Sequence, residues 1–336
     1  MEQYAKLLLV LLVGFFVSLI LSPIIISIIK KEKVKQVILH YVESHKQKSG
    51  TPTMGGIIFI IAILLTSLIF FDKQNMTLGL VSLMSLFAFG LVGFLDDFLK
   101  FKFKQNMGLR PYQKIIFQLT FSIILSVFAF KSSLIGSAII LPFSGRVIDI
   151  GWWIIPLNVF VIIATTNSVN LTDGLDGLAT GTSLSFLLSF FALLLILFGR
   201  TFEGQSTIYL QQINSVNVVV FASLGALLCY LLFNSFPAKI FMGDTGSLAL
   251  GGMFAAMVIT TKTTLYLPFL GIMFVASSVS VILQVSYYKL TKKRIFLMAP
   301  LHHHFEKKGM HEVRISVMYA TITLVVGAMV ALIELV

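Results

Sequence analysis

The sequence predicts an all-α polytopic integral membrane protein. Three observations carry that reading. Hydrophobic residues fill 57% of the 336 positions and charged residues only 12%, against about 25% charged in soluble domains. Mean hydropathy is +0.96. Several uncharged runs approach the roughly 20 residues that cross a bilayer as a helix, and a helix satisfies its own backbone there.

Ten segments fit that description: residues 4–29, 54–71, 77–95, 114–130, 152–170, 178–198, 216–233, 247–261, 265–288 and 315–335. The first is too long for a signal-peptide core and has no small-residue cleavage site before its basic flank, so it reads as a retained span. The third ends at the carboxylate pair Asp96-Asp97. The eighth is short and carries Gly246, Gly251 and Gly252, which suit close helix packing. Residues 131–151 place Pro142 and Ser144-Gly145 between alternating apolar residues, the pattern of a short hairpin. Residues 199–214 read as a surface helix. No stretch resembles a separate soluble domain, so residues 1–336 are expected to form one integral membrane domain. The single cysteine, Cys229, sits in an apolar run and forms no intrachain disulfide.

Charge orients the spans. Nineteen of the 25 Lys and Arg residues fall in the loops after the odd-numbered segments. The positive-inside rule makes those loops cytoplasmic and puts both termini outside. The same rule accounts for the net charge of +11 without a nucleic-acid partner. No internal repeat is evident, which argues against a transporter built from inverted repeats.

The acidic motifs then fall on one side. Asp96-Asp97 closes a long uncharged run and precedes Lys100, Lys102 and Lys104. Carboxylates at membrane depth are costly and mark function, although a span end also tolerates charge. In Asn167-Ser-Val-Asn170-Leu-Thr-Asp173-Gly-Leu-Asp176-Gly, polar groups recur every third residue. That spacing drifts about 60° per step on a helix, so the helix is expected to end among the glycines. A capped turn would explain Asp173-Gly alone, but not two asparagines inside a span end. In Asn234-Ser-Phe-Pro-Ala-Lys-Ile-Phe241-Met-Gly-Asp244-Thr-Gly-Ser247, Asp244 is either a helix N-cap or a carboxylate offered to a hard cation. Phe241 is either a platform for a ring or an apolar contact.

Two further motifs suit phosphate. Pro300-Leu-His302-His303-His304-Phe-Glu306 has adjacent histidines, which lack the spacing of a helical zinc pair but suit phosphate binding or proton transfer near neutral pH. His45-Lys-Gln-Lys48-Ser-Gly50-Thr-Pro-Thr53-Met-Gly-Gly56 is basic and Gly-rich without the ending of a P-loop. Oxygen donors without thiolates suit Mg²⁺ or Mn²⁺. Lysines and a Gly-rich loop at the same membrane face suit a phosphoryl transfer between a soluble nucleotide and a lipid.

Five motifs in order resemble a known family: Gly50-Thr-Pro-Thr-Met-Gly-Gly56, Asp96-Asp-Phe-Leu-Lys100, Asn170-Leu-Thr-Asp-Gly-Leu-Asp-Gly-Leu178, Phe241-Met-Gly-Asp-Thr-Gly-Ser247 and Pro300-Leu-His-His-His-Phe-Glu306. The whole chain is similar to the bacterial phospho-N-acetylmuramoyl-pentapeptide transferases (translocase I). It is more distantly similar to other polyprenyl-phosphate N-acetylhexosamine-1-phosphate transferases.

The resemblance implies transfer of phospho-MurNAc-pentapeptide from UDP-MurNAc-pentapeptide to undecaprenyl phosphate. It implies Mg²⁺, the products lipid I and UMP, a multi-pass place in the bacterial cytoplasmic membrane, and a homodimer. By matching position, Asp96, Asp97, Asp244 and His303 are the expected catalytic residues, with Asp244 the metal ligand. Lys48, Thr53, Lys100, Lys114, Asn167, Asn170, Asp173, Asp176, Asn234, Phe241, His302 and His304 form the expected substrate-binding set. Arg110-Pro-Tyr112 stands where the family usually has small or polar residues, near Lys114. Two alternatives remain at this level: a related transferase using UDP-GlcNAc, and a cation-coupled transporter.

Overall fold

The computed structural model describes residues 2–31, 51–103, 108–200 and 207–336. Its helices, in chain order, are α1 (Glu2–Lys31), α2 (Gly56–Phe70), α3 (Thr77–Phe103), α4 (Pro111–Lys131), α5 (Ile154–Thr172), α6 (Leu178–Arg200), α7 (Thr207–Asn234), α8 (Gly243–Thr260), α9 (Leu267–Leu270), α10 (Ile272–Thr291), α11 (Leu301–Lys307) and α12 (Glu312–Leu335). Among the described residues, α1, α3, α4, α5, α6, α7, α10 and α12 are long and apolar enough to cross a membrane. The protein is therefore an all-α, multi-pass membrane protein. The remaining two predicted segments fall on α2, which is apolar but has 15 residues, and on α8, with 18.

Helix α8 is the axis of the packing. It is buried on every side from Thr245 to Thr260, as expected of a helix whose small residues admit close neighbours. Helices α3, α5 and α2 pack around it, α1 lies against α7, and α6 lies against α12.

Three elements depart from the expected boundaries. Helix α3 continues past Leu95 to Phe103, because Asp96 and Lys100 form an ion pair one turn apart and the charged residues can stay helical. Helix α7 starts at Thr207 and takes up the described part of the expected surface helix. Its polar first turns are packed rather than solvated: Gln212 accepts from the Leu78 amide at 3.3 Å, and Ser215 Oγ from the Gly79 amide at 2.8 Å. The ninth segment breaks at Gly271 into α9 and α10.

The expected hairpin is present. Strands β1 (Ala138–Ile140) and β2 (Val147–Asp149) pair antiparallel with Ile139 opposite Ile148. The Ile140 amide donates to the Lys262 carbonyl at 2.9 Å. At the tip, the Phe143 amide and the Tyr266 hydroxyl both donate to Glu334 Oε1, at 2.5 and 2.6 Å. The hairpin thereby ties α12 to the connection after α8, at the end of the bundle away from Asp244.

Candidate active site

Two irregular segments build the site floor, and they satisfy each other. The Phe241 amide donates to the Pro52 carbonyl at 2.9 Å. The Gly55 and Gly56 amides donate to the Phe241 and Met242 carbonyls at 2.8 and 3.0 Å. Backbone without regular structure is tolerated near membrane depth only when its polar groups are paired in this way. The chain then turns through Gly243, whose φ of +69° favours glycine, and α8 begins.

Asp244 lies in the first turn of α8 rather than at its cap, which is Met242. Its carboxylate faces across the bundle instead of capping its own helix. Oδ1 accepts from Asn170 Nδ2 at 2.7 Å, and Oδ2 accepts from both Lys100 Nζ and Lys114 Nζ at 3.0 Å. The start of α8 is capped by another helix: Asp97 Oδ2 accepts from the Thr245 amide at 2.9 Å and the Thr245 hydroxyl at 2.7 Å. A carboxylate at a helix N-terminus meets unpaired amides and the positive end of the dipole.

Asp96 completes the cluster. It pairs with Lys100, and its Oδ1 accepts from the Leu109 amide at 2.9 Å. Asp96 and Asp97 are only 3% and 4% exposed, so their charges must be balanced locally. One oxygen from each of Asp96, Asp97 and Asp244 lies within 4.8 Å of the other two. Three acceptor-only oxygens converging in this way fit a hard divalent cation. Helices α3 and α8 approach this closely because residue 93 is glycine: a Cβ there would lie 2.6 Å from the Thr245 amide nitrogen and nearer still to the Asp244 carbonyl.

The other expected residues divide into three groups. Asn170 joins the cluster directly and also donates to Ser247 Oγ at 2.8 Å. Thr53 stands beside it, since a side chain at Gly243 would touch both Thr53 Oγ1 and Asp97 Oδ2. Asp173 occupies the turn that ends α5. Burial, then the charges of Asp244, Asp97 and Asp176, pushes its carboxyl up to about 8.

Asp176 and Phe241 line a neighbouring cleft of about 460 Å³, together with Thr51, Phe236, Glu306 and Glu312. Asp176 also fixes one cleft wall by accepting from the Ala238 amide at 2.9 Å.

The third group holds the frame. Asn234 is buried, accepting from the Thr180 hydroxyl at 2.7 Å and donating to the Ile240 carbonyl at 3.0 Å. Asn167 donates to Gln118 at 2.9 Å. The histidines lie on the short helix α11. His302 is fully buried against Gly174. His303 Nδ1 meets Glu306 at 2.8 Å, and His304 Nδ1 accepts from the Leu297 amide at 3.1 Å. Lys48 lies outside the described residues.

Sequence reasoning missed Thr245 and Gln118. Thr245 was legible only as the neighbour of Asp244. Gln118, a lone polar residue in an apolar helix, was the one available signal for the second.

This fold and site define a membrane-embedded transferase of the glycosyl transferase family 4 class, whose family model matches residues 80–262. A phospho-N-acetylmuramoyl-pentapeptide-transferase signature matches residues 48–60. A phospho-N-acetylmuramoyl-pentapeptide-transferase from Clostridioides difficile (strain 630) is 42% identical over 318 residues, 94% of each chain. Another from Clostridium botulinum (strain Alaska E43 / Type E3) is 46% identical over 316 residues, 94% of this chain and 92% of its own. One from Caldanaerobacter subterraneus subsp. tengcongensis is 45% identical over 323 residues, 95% and 96%. The chain belongs to the phospho-N-acetylmuramoyl-pentapeptide-transferase family.

Proposed function

We propose that this chain, acting as one domain over residues 1–336, transfers phospho-MurNAc-pentapeptide from UDP-MurNAc-pentapeptide to undecaprenyl phosphate. The products are lipid I, for peptidoglycan synthesis, and UMP. The reaction runs with Mg²⁺ at the cytoplasmic face of the bacterial plasma membrane. A homodimer follows from the family resemblance. The carrying observation is the convergence of Asp96, Asp97 and Asp244 with two ammonium groups, Lys100 and Lys114. The relatives' names favour the muramoyl donor over UDP-GlcNAc. The motif aspartates, Asp96, Asp97, Asp173, Asp176 and Asp244, lie at one end of the bundle and do not mark a pathway across it, which disfavours a transporter.

Asp96, Asp97 and Asp244 are the groups that would hold Mg²⁺, which when bound supplies charge neutralisation on a diphosphate. Lys100 and Lys114 are placed to bind the same diphosphate as it gains charge. Phe241, with Asp176 in the adjoining cleft, receives the nucleoside. Asn170 and Asp173 hold the cluster's nucleotide side, and His303 meets Glu306, which lines the cleft.

A lipid phosphate is mostly dianionic at pH 7, with a second pKa near 6, so its oxygen needs no strong general base. That oxygen attacks the sugar-linked phosphorus, and the bond to the UMP oxygen breaks. Asp96 orients the acceptor. Direct attack is the reading we take, since the dianionic acceptor needs no protein nucleophile; the rival is a covalent intermediate on Asp97 or Asp96.

The test is UMP release by purified protein given UDP-MurNAc-pentapeptide, a polyprenyl phosphate and Mg²⁺. Release that stops with chelator and returns with Mg²⁺ supports the reading. Release with UDP-GlcNAc alone moves it to the sister branch. Capture of a phospho-MurNAc-enzyme without acceptor overturns direct attack.

A further inference from the structure

We propose that Gln118 is a positioning residue for the transfer: it ties α4 to α5 so that Lys114 and Asn170 stay on the two oxygens of Asp244; this rests on the transferase reading above. Asp244 is held from two sides. Lys114, on α4, donates to Oδ2 at 3.0 Å, and Asn170, on α5, donates to Oδ1 at 2.7 Å. One turn further along each helix, about 5 Å on its axis, Asn167 Nδ2 donates to Gln118 Oε1 at 2.9 Å. A step from Lys114 forward to Gln118 on α4 matches a step from Asn170 back to Asn167 on α5. The two helices therefore run antiparallel, and the two contacts are successive rungs between them. The second rung is the one side-chain hydrogen bond that joins α4 to α5 among the described residues.

A backbone group fixes the sense of that rung. Asn167 Nδ2 also donates to the Ile163 carbonyl at 2.8 Å. A carbonyl can only accept, so the nitrogen of the Asn167 amide must face it, and Gln118 must turn its oxygen toward the same nitrogen. Both Nδ2 hydrogens of Asn167 are then used. Those of Asn170 are used in the same way, by Asp244 and Ser247. The two asparagines spend their donors on protein groups, which suits the spacing of helices and leaves nothing to donate to a phosphate.

Stability alone gives no reason for an amide at position 118. The residue is fully buried, and its Nε2 has no hydrogen-bond partner among the described residues. Leaving a buried donor unpaired generally costs more than one neutral hydrogen bond returns. A methionine of similar volume would remove that cost. A group that is unfavourable for the fold and braces a reacting centre is of the kind kept for function.

Gln118→Met tests this, because a positioning role and a purely structural one predict opposite results. Its melting temperature in detergent should equal or exceed that of wild type. Its kcat for UMP release should fall by about tenfold or more as Lys114 and Asn170 lose their spacing. Its KM for the nucleotide donor should stay within about twofold, since no charged group is lost. The comparison is Asn158→Leu. Asn158 is another buried amide on α5, with neither end of its side chain bonded among the described residues, about 13 Å along the helix from Asn167. Asn158→Leu should keep its kcat. A Gln118→Met kcat within about threefold of wild type overturns the proposal. A lower melting temperature or a failure to fold overturns it too, because the amide would then serve stability. An equal loss of kcat in Asn158→Leu also overturns it, because any buried amide on this seam would then matter. Each result is read against an active wild type, whereas absence of UMP release from wild type sinks the transferase reading instead.

Discussion

Gly93→Ala separates the geometry of the carboxylate cluster from its chemistry, because it removes no charged group. A Cβ at residue 93 would lie 2.6 Å from the Thr245 amide nitrogen, where ordinary contact begins near 3.4 Å, and the crowding atoms are backbone. Helices α3 and α8 must part by about 1 Å. Overpacking of this kind costs about 1–3 kcal/mol, while replacing a helical glycine returns about 1 kcal/mol. The matched control is Gly90→Ala on the same helix. There the nearest neighbours are Ile60 Cδ1, the end of a flexible side chain, at 3.1 Å and Ala249 Cβ at 3.3 Å, so only a few tenths of an ångström must be given. The propensity gain is shared and both positions face α8, so the difference between the variants isolates the tight contact with the Asp244–Thr245 backbone. Because Asp97 caps α8 and Asp244 rides on it, a shift of about 1 Å spreads the three carboxylates and should lower kcat by about 10²-fold. Gly90→Ala should retain nearly full activity. UMP release gives kcat, and thermal unfolding in detergent shows that both variants are folded. A Gly93→Ala enzyme within about threefold of wild-type kcat, about 0.7 kcat-equivalent kcal/mol, would falsify the claim that close approach of α3 and α8 sets the site.

Thr245→Val removes the hydroxyl that donates to Asp97 at 2.7 Å. Hydrogen bonds to charged groups contribute about 1.5–3 kcal/mol, so the melting temperature should fall, and Thr245→Ser should restore it. Lys114→Met should tighten divalent-ion binding, read by Mn²⁺ titration without substrate, and raise the KM for the nucleotide donor; loss of both affinities together would refute it. At the other end of the bundle, the Ser137 hydroxyl first and then the Gly151 amide hold the Asp149 carboxyl below its ordinary 3.8. A lowered folded-state value means that its contribution to the hairpin is full above that ordinary value and is lost as pH falls through the folded one. Ser137→Ala should move the Asp149 titration upward by NMR, and an unchanged titration would show that the bond is not formed.

The all-α class and the grouping of motifs were legible because they depend on local signals. Apolar length marks a span whatever it packs against, and charge asymmetry depends only on which loops alternate. The end of α5 near Asp173 followed from glycine spacing. Helix α7 was read too short because hydropathy treats Gln212 and Ser215 as solvated, whereas both accept amide protons from α3. Local sequence also allowed Asp244 to be an N-cap. Only the tertiary structure shows that Asp97, nearly 150 positions away in the chain, is the group that caps α8. For Asn234 and His302 the motif was visible but the orientation was not. Asn234 has both ends of its amide bonded to protein groups, and the His302 side chain lies fully buried beneath the turn after α5.

The opposite signs expected for Lys114→Met come from charge balance at one carboxylate. Asp96, Asp97 and Asp244 face Lys100 and Lys114, and both ammonium groups approach the same Asp244 oxygen. With every group ionised the cluster carries one net negative charge, which draws in a cation and repels an anion. A bound divalent ion reverses that sign, and the cluster then attracts a diphosphate. Removing Lys114 makes the empty cluster more negative, so a divalent ion binds more tightly. It also leaves the ion-loaded cluster neutral, so the anionic donor binds less well. A lysine that merely supported the fold would weaken both affinities, since losing it would disorder the carboxylates that each ligand needs. The sign of the change in metal affinity therefore distinguishes a lysine that handles substrate charge from one that only packs.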